Sequence, residues 1–240
     1  MIQIAALIVS FIPAILIYIY LRNLRKDDEN YIKTCRKLLL SGAYCTVLVV
    51  LFSLTCTIAW GAAGLDKLGV IPKELFRTFI LAALSEELAK YYISNKAIKK
   101  ERGSITMIDV LAYAAIAGMG FELVESFVYM FTTNVGQILV RGLMFMHVCY
   151  GLLMGWYIVK SIITGKKSYR VLAVVLPWIL HGLYDFSLSE DLLALNDNLV
   201  FLPFIMVFVT LFIGIRLLLF IRKAQKNGLY TEPLPSEVNE

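Results

Sequence analysis

The chain alternates long apolar runs with short polar loops, and the apolar runs have the length of membrane-spanning helices. A helix needs about 20 predominantly apolar residues to cross the hydrocarbon core of a bilayer. By that measure the pattern predicts seven spans, over residues 2–21, 38–60, 74–95, 107–131, 138–161, 169–187 and 199–221. The predicted fold class is therefore all-α, a polytopic transmembrane helical bundle.

The predicted spans use most of the 240 residues, which leaves no room for a separate soluble domain. We expect one transmembrane domain over residues 1–228 and a short cytoplasmic tail over residues 229–240, where prolines stand among few apolar residues. The composition agrees, because 59% of the residues are hydrophobic and the mean hydropathy is +0.74. Such values are typical of a membrane protein rather than a soluble one.

The net charge of +5 is explained by topology. Lysine and arginine are concentrated in the loops after the first, third, fifth and seventh predicted spans, whereas the other loops hold few basic residues and one is acidic. By the positive-inside rule the basic loops are cytoplasmic, so the N-terminus is predicted outside and the C-terminus inside. This distribution predicts the lipid bilayer as the chain's environment and no nucleic-acid partner.

Several ionisable side chains lie within the predicted spans, and they are the main candidates for function. Each costs roughly 2.5–3.5 kcal/mol at the centre of a membrane helix on insertion scales, so such groups are kept mainly for chemistry or transport. The chain has two histidines, and both are in this set. The candidates are Glu86, Glu87, Lys90, Glu122, Glu125, His147, His181 and Asp185.

The spacing of these residues predicts that they meet. Glu122 and Glu125 are three residues apart, and His181 and Asp185 are four apart, so each pair shares one face of its helix. Counting a rise of 1.5 Å per residue from the outer ends of four different spans puts the groups about 9–18 Å deep. We therefore expect one cluster in the outer half of the bilayer.

Two kinds of hydrolytic chemistry fit this set. A carboxylate could take a proton from water while an imidazole stabilises the oxyanion. Alternatively His147, His181 and Glu125 could bind zinc with an open fourth position, leaving another glutamate as the base. The sequence has no HExxH motif, so such ligands would come from separate helices.

The two neighbouring glutamates are expected to differ in role. Glu87 and Lys90 are three apart and could form an ion pair, which leaves Glu86 to activate the water. The two glutamates could also exchange these roles. Two further interpretations stay open, a proton- or ion-coupled transporter and an inert scaffold of the same fold. The chain shows no internal repeat of the kind that transporters carry, and a scaffold has no need of costly buried charges.

At these residues the chain resembles the PrsW family of intramembrane proteases. The shared pattern is EExxK, FExxE, a histidine on the next helix and HxxxD, which lie here at residues 86–90, 121–125, 147 and 181–185. The resemblance covers residues 74–187. The related CAAX-prenyl endopeptidase superfamily typically has a histidine in the second motif, where this chain has Glu125, and this favours PrsW.

The resemblance implies an integral-membrane endopeptidase that cuts single-pass membrane proteins near the extracytoplasmic side of a bacterial plasma membrane. It also implies that the substrate is an anti-sigma factor in a stress response. With zinc as the candidate cofactor, the expected catalytic set is Glu86, Glu87, Glu125, His147, His181 and Asp185, supported by Lys90 and Glu122.

Overall fold

The computed structural model describes residues 2–132, 135–194, 199 and 201–235. Over these residues every regular element is helical, and the β structure is limited to an isolated bridge between Thr106 and Pro233. The all-α fold class is therefore confirmed. Residues 236–240 of the predicted tail lie outside the described residues.

Eleven α-helices are present in the described ranges. They are α1 (Ile2–Ser10), α2 (Ile12–Arg22), α3 (Glu29–Ala62), α4 (Val70–Leu75), α5 (Ser85–Lys100), α6 (Met107–Thr132), α7 (Val135–Met144), α8 (Met146–Thr164), α9 (Lys167–Ser187), α10 (Glu190–Leu193) and α11 (Leu202–Lys226). A π-helical segment, Phe76–Leu84, joins α4 to α5.

Five helical stretches of the described chain are long and apolar enough to cross a membrane. They are Ile2–Arg25, Glu29–Ala62, Met107–Phe131, Gly142–Thr164 and Leu202–Lys226, and they match five of the seven predicted spans. The other two predictions, 74–95 and 169–187, are helical but fall outside this set. Both segments contain ionisable residues of the candidate site, and these residues lower the hydropathy of the segments. The count of seven spans stays a prediction.

Two predicted spans are interrupted helices. The first breaks at Phe11, and α2 begins with Pro13 in its first turn, where a proline costs no helix hydrogen bond. The fifth breaks at Phe145, which has left-handed backbone angles of φ 38° and ψ 45°. Few residues other than glycine adopt that conformation. The break ends α7 and puts His147 in the first turn of α8.

The π-helical segment leads directly into the glutamate pair, because α5 begins at Ser85. Short π segments are rare in proteins and are frequent at functional sites. Here the indole N–H of Trp178 donates to the carbonyl oxygen of Phe79 over 2.7 Å. Trp178 lies on α9 three residues before His181, so this bond ties the helix of the glutamates to the helix of that histidine.

Helix α6 is the centre of the bundle, with 89% of its most apolar stretch buried. It packs between α3 and α8, and α8 also packs against α9 and α11. Glycines permit the closest contacts: a Cβ at Gly118 would overlap the carbonyl oxygen of His147, and one at Gly151 would overlap that of Ala114. The backbone of α6 therefore touches the backbone of α8 at the level of His147.

The described part of the predicted tail packs back onto the protein. The backbone N–H of Leu234 donates to the carbonyl oxygen of Ile105 over 2.8 Å, and the Leu234 side chain is buried. Pro233 and Leu234 are thus held against the loop that precedes α6.

Candidate active site

The ionisable side chains of four helices meet in one buried group, which we call the polar cluster. It contains all eight candidates found in the sequence: Glu86, Glu87 and Lys90 from α5, Glu122 and Glu125 from α6, His147 from α8, and His181 and Asp185 from α9. The centroids of the two imidazole rings are 5.0 Å apart.

Lys90 is the centre of the polar cluster, and its side chain is completely buried. Its Nζ donates to Glu87 Oε1 over 2.7 Å and lies 2.7 Å from His147 Nδ1. Glu86 Oε2 is 3.6 Å away, and the ring centroid of Phe121 is 4.8 Å away. The Glu87–Lys90 ion pair that the spacing indicates is therefore present, and it is one part of a wider network.

His147 is held by both glutamates of α6. The Lys90 ammonium has only donors, so His147 Nδ1 must accept its hydrogen bond. The ring proton is then on Nε2, which donates to Glu125 Oε2 over 2.5 Å. The backbone N–H of His147 donates to Glu122 Oε2 over 3.1 Å. Glu125 therefore orients the ring, and Glu122 holds the backbone that carries it.

His181 lies between two carboxylates. Its Nδ1 is 2.9 Å from Glu87 Oε1, and its Nε2 is 3.3 Å from Asp185 Oδ2. An ionised carboxylate can only accept hydrogen bonds, so Nδ1 donates to Glu87 at the shorter distance. Asp185 is the more distant of the two partners.

Tyr150 belongs to the site, although the sequence reasoning did not select it. Its ring stacks on that of His181 with centroids 5.1 Å apart and lies edge-on to His147 at 6.0 Å. Tyr150 follows His147 by three residues on α8, so helical spacing was the signal that could have identified it. No charge marks it as a candidate, and aromatic residues are frequent in membrane helices.

Glu86 is the carboxylate with spare capacity. Its Oε2 is buried and makes no hydrogen bond among the described residues, which is also true of Glu87 Oε2, so the exposure of the two side chains is what separates them. The side chain keeps 11% exposure, whereas that of Glu87 has none. A carboxylate that has a free oxygen and some access to water can act as a base or as a metal ligand, and Glu87 is already bound by Lys90 and His181.

The donor set of the polar cluster fits zinc. Glu86, His147 and His181 each offer one ligand atom, and these atoms lie within 4.8 Å of one another. Two imidazoles and one carboxylate with an open position form a common catalytic zinc set, and the unpartnered oxygen of Glu86 suits a ligand. The set expected from the sequence had Glu125 in place of Glu86. In the structure Glu125 instead binds the Nε2 side of His147.

Comparisons with known proteins identify the family of the chain. The family described as PrsW family intramembrane metalloprotease matches residues 33–215, which include the whole polar cluster. The chain is 26% identical over 194 residues to Protease PrsW of Clostridioides difficile (strain 630), covering 77% of this chain and 79% of that protein. It is 29% identical over 157 residues to Protease PrsW of Bacillus subtilis (strain 168), covering 63% and 70%.

No solved structure matches the chain significantly. The family match covers well over half of the sequence and includes the helices that form the site. This family match favours a peptidase over the two alternatives, a transporter and an inert scaffold. The chain is a multi-pass membrane protein that belongs to the PrsW family of intramembrane metalloproteases.

Proposed function

We propose that the protein is an endopeptidase that cleaves single-pass membrane proteins near the extracytoplasmic end of the substrate helix. The observation that carries this proposal is the buried carboxylate oxygen of Glu86, which makes no hydrogen bond among the described residues and lies beside two imidazoles. Peptide hydrolysis needs a base for water and a donor for the oxyanion, and the polar cluster offers both.

The proposed topology has seven spans, with the N-terminus outside and the C-terminus in the cytoplasm of a bacterial cell. Its support is the alternation of basic and non-basic loops along the chain. With this orientation the polar cluster lies in the outer half of the plasma membrane. A substrate helix would then be cut near its outer end.

In the proposed mechanism Glu86 takes a proton from the attacking water and later returns it to the leaving amine. Glu87 does not share this role, because Lys90 and His181 hold it. Lys90 keeps a positive charge 3.6 Å from Glu86 Oε2, where it balances the two neighbouring carboxylates.

His181 is the proposed donor to the oxyanion. Its Nδ1 is fixed by Glu87, and its Nε2 faces Asp185 at the longer distance of 3.3 Å. When the substrate carbonyl oxygen gains negative charge, it could replace Asp185 as the acceptor of the hydrogen bond from His181 Nε2. Tyr150 stacks on the ring and holds its plane during this exchange. His147 and Glu125 form the opposite wall of the site.

Zinc held by Glu86, His147 and His181 would polarise the scissile carbonyl or acidify a bound water. Glu86 would then serve as a ligand, and a different carboxylate would have to be the base. Glu125 is suited to that role, because its side chain keeps 16% exposure.

The proposed substrate is an anti-sigma factor with a single membrane span, and its cleavage would release a stress-responsive sigma factor. This part rests on the resemblance to the PrsW family. Coexpression of the chain with tagged single-span anti-sigma factors should give a shortened product that disappears with Glu86→Gln. If none of them is cut while the purified enzyme cleaves other membrane peptides, the substrate class is wrong and the peptidase activity stands.

The activity is tested with purified protein in liposomes and a fluorogenic transmembrane peptide. Wild type should cleave the peptide in its outer third, as located by mass spectrometry. Glu86→Gln should abolish cleavage, and Glu190→Gln, an exposed carboxylate outside the cluster, should not change it. Equal cleavage by wild type and Glu86→Gln would overturn the proposed role of Glu86.

A further inference from the structure

The Lys90 ammonium lies close to two atoms that a metal ion would need. Glu86 Oε2 and His147 Nδ1 are 3.8 Å apart, and Lys90 Nζ is 3.6 Å from the first and 2.7 Å from the second. The lysine side chain is fully buried, so solvent does not reach its ammonium group. Both atoms belong to residues of the candidate metal set.

The hydrogen bonds of His147 make the conflict specific. A neutral imidazole has one nitrogen lone pair to give, and a metal needs that lone pair. In this structure the lone pair is on Nδ1 and accepts from Lys90, while Nε2 carries the proton that binds Glu125. His147 therefore has no nitrogen free for a metal while Lys90 stays in place.

Charge acts in the same direction. A divalent ion bound to Glu86 and His147 would lie within a few ångströms of the Lys90 ammonium, and the repulsion between such charges is strong inside a membrane protein. Loading the site would require the lysine side chain to move away from Glu86 and His147. Glu87 would keep its contact with His181 in either case.

We propose that Lys90 and a divalent metal ion compete for the same position, so that Lys90 sets the metal affinity of the site. The motif EExxK then has two parts with opposite effects: the glutamate at 86 attracts a metal ion, and the lysine one turn later opposes it. The proposal goes beyond the peptidase activity, since it concerns which cation the site holds.

The competition has a measurable size. If the conformation with Lys90 displaced is a minor fraction of the molecules, the apparent dissociation constant is the intrinsic one divided by that fraction. A minor fraction of about one tenth or less gives an affinity loss of about tenfold or more. Removing the ammonium should restore this affinity.

The test is Zn²⁺ binding by purified protein in detergent, by equilibrium dialysis with metal analysis, and Co²⁺ binding by visible absorption. Lys90→Met should bind about tenfold more tightly than wild type or better. Lys90→Arg keeps the cation and should remain weak. Lys99→Met, an exposed position on the same helix, should match wild type. Equal affinities of Lys90→Met and wild type would overturn the proposal.

Two more variants keep the test decisive. His147→Ala in the Lys90→Met background should remove the gain, and a gain that survives would show that the metal binds elsewhere. If Lys90→Met does not fold, the double variant Glu87→Gln/Lys90→Met removes the ion pair as a unit and takes its place. No substrate is present in these measurements, so their outcome is independent of whether the chain cleaves membrane proteins.

Discussion

Glu122 of α6 caps helix α8 by accepting a hydrogen bond from the backbone N–H of His147, with Oε2 and N 3.1 Å apart. Helix α8 begins after Phe145, whose side chain cannot satisfy the free N–H groups of a first helical turn. A carboxylate near a helix N-terminus is also favoured by the helix dipole. The position of His147 therefore depends on a residue of the neighbouring helix.

Replacing Glu122 by alanine should lower both stability and activity. Loss of a helix cap costs about 1 kcal/mol, and here the released N–H of His147 is also buried. We expect a lower midpoint of thermal unfolding in detergent and slower cleavage of the transmembrane peptide. Glu122→Gln retains an oxygen that can accept the bond and should lie between alanine and wild type. An alanine variant with wild-type stability and turnover would show that the cap is dispensable.

Helical periodicity explains why so much of the site was predictable. Glu122 and Glu125 share a face of α6, and both reach His147 as their spacing indicates. The i,i+3 pair Glu87–Lys90 forms as predicted, because it needs only one helix. Relations within a single helix are fixed by 3.6 residues per turn, so a sequence can reveal them.

Relations between helices were predicted less well. Spacing does not give the relative height of two helices, so the ligand set His147, His181 and Glu125 stays a prediction beside the set Glu86, His147 and His181, whose ligand atoms lie within 4.8 Å of one another. The break at Phe145 was also missed, because phenylalanine is not a residue that signals left-handed backbone. The π-helical segment Phe76–Leu84 has no sequence signal of its own, and its Phe79 carbonyl is bound from another helix.

The two neighbouring glutamates should respond differently to the same substitution. Glu86→Gln should reduce turnover by about 10²–10⁴-fold, the range for loss of a general base, with a smaller change in stability because its Oε2 makes no hydrogen bond and Lys90 keeps the closer Glu87. Glu87→Gln should destabilise the fold by about 3 kcal/mol, since Lys90 loses its closest anion. Denaturant unfolding and peptide cleavage measured on both variants separate these effects.

The reverse pattern, with Glu86→Gln unstable and Glu87→Gln inactive but stable, would mean that the two glutamates exchange roles. Glu190→Gln is the matched control for substituting a carboxylate, because Glu190 is exposed and outside the polar cluster.

The stacking of Tyr150 on His181 predicts a role for the ring rather than for its charge. Tyr150→Phe keeps the aromatic face and should retain most of the peptidase activity. Tyr150→Leu removes the stacking contact at 5.1 Å, which is worth about 0.5–1.5 kcal/mol in aromatic pairs, and should slow cleavage about tenfold through a lower kcat. Steady-state kinetics on the transmembrane peptide gives the comparison. If both variants lost the same amount of activity, the hydroxyl of Tyr150 and not its ring would be the group that matters.

Glu125→Gln should abolish cleavage while folding and membrane insertion remain normal. In the structure Glu125 Oε2 accepts the Nε2 proton of His147, and Lys90 binds the other nitrogen. An amide keeps the shape and can still accept that proton through its oxygen, so His147 should stay in place. What the amide cannot supply is a negative charge, which the reaction needs from Glu125 when a metal ion takes Glu86 as its ligand and Glu125 becomes the base. Peptide cleavage in liposomes, with thermal unfolding as the check on folding, gives the measurement.

Two controls make the Glu125 result specific. Glu125→Asp retains the charge on a shorter side chain and should recover part of the activity. Glu29→Gln changes an exposed carboxylate at the start of α3 and should leave turnover unchanged. Wild-type turnover by Glu125→Gln would remove Glu125 from the chemistry and leave it only the orientation of His147. In that case Glu86 would remain the candidate base, because its Oε2 makes no hydrogen bond among the described residues and its side chain keeps 11% exposure.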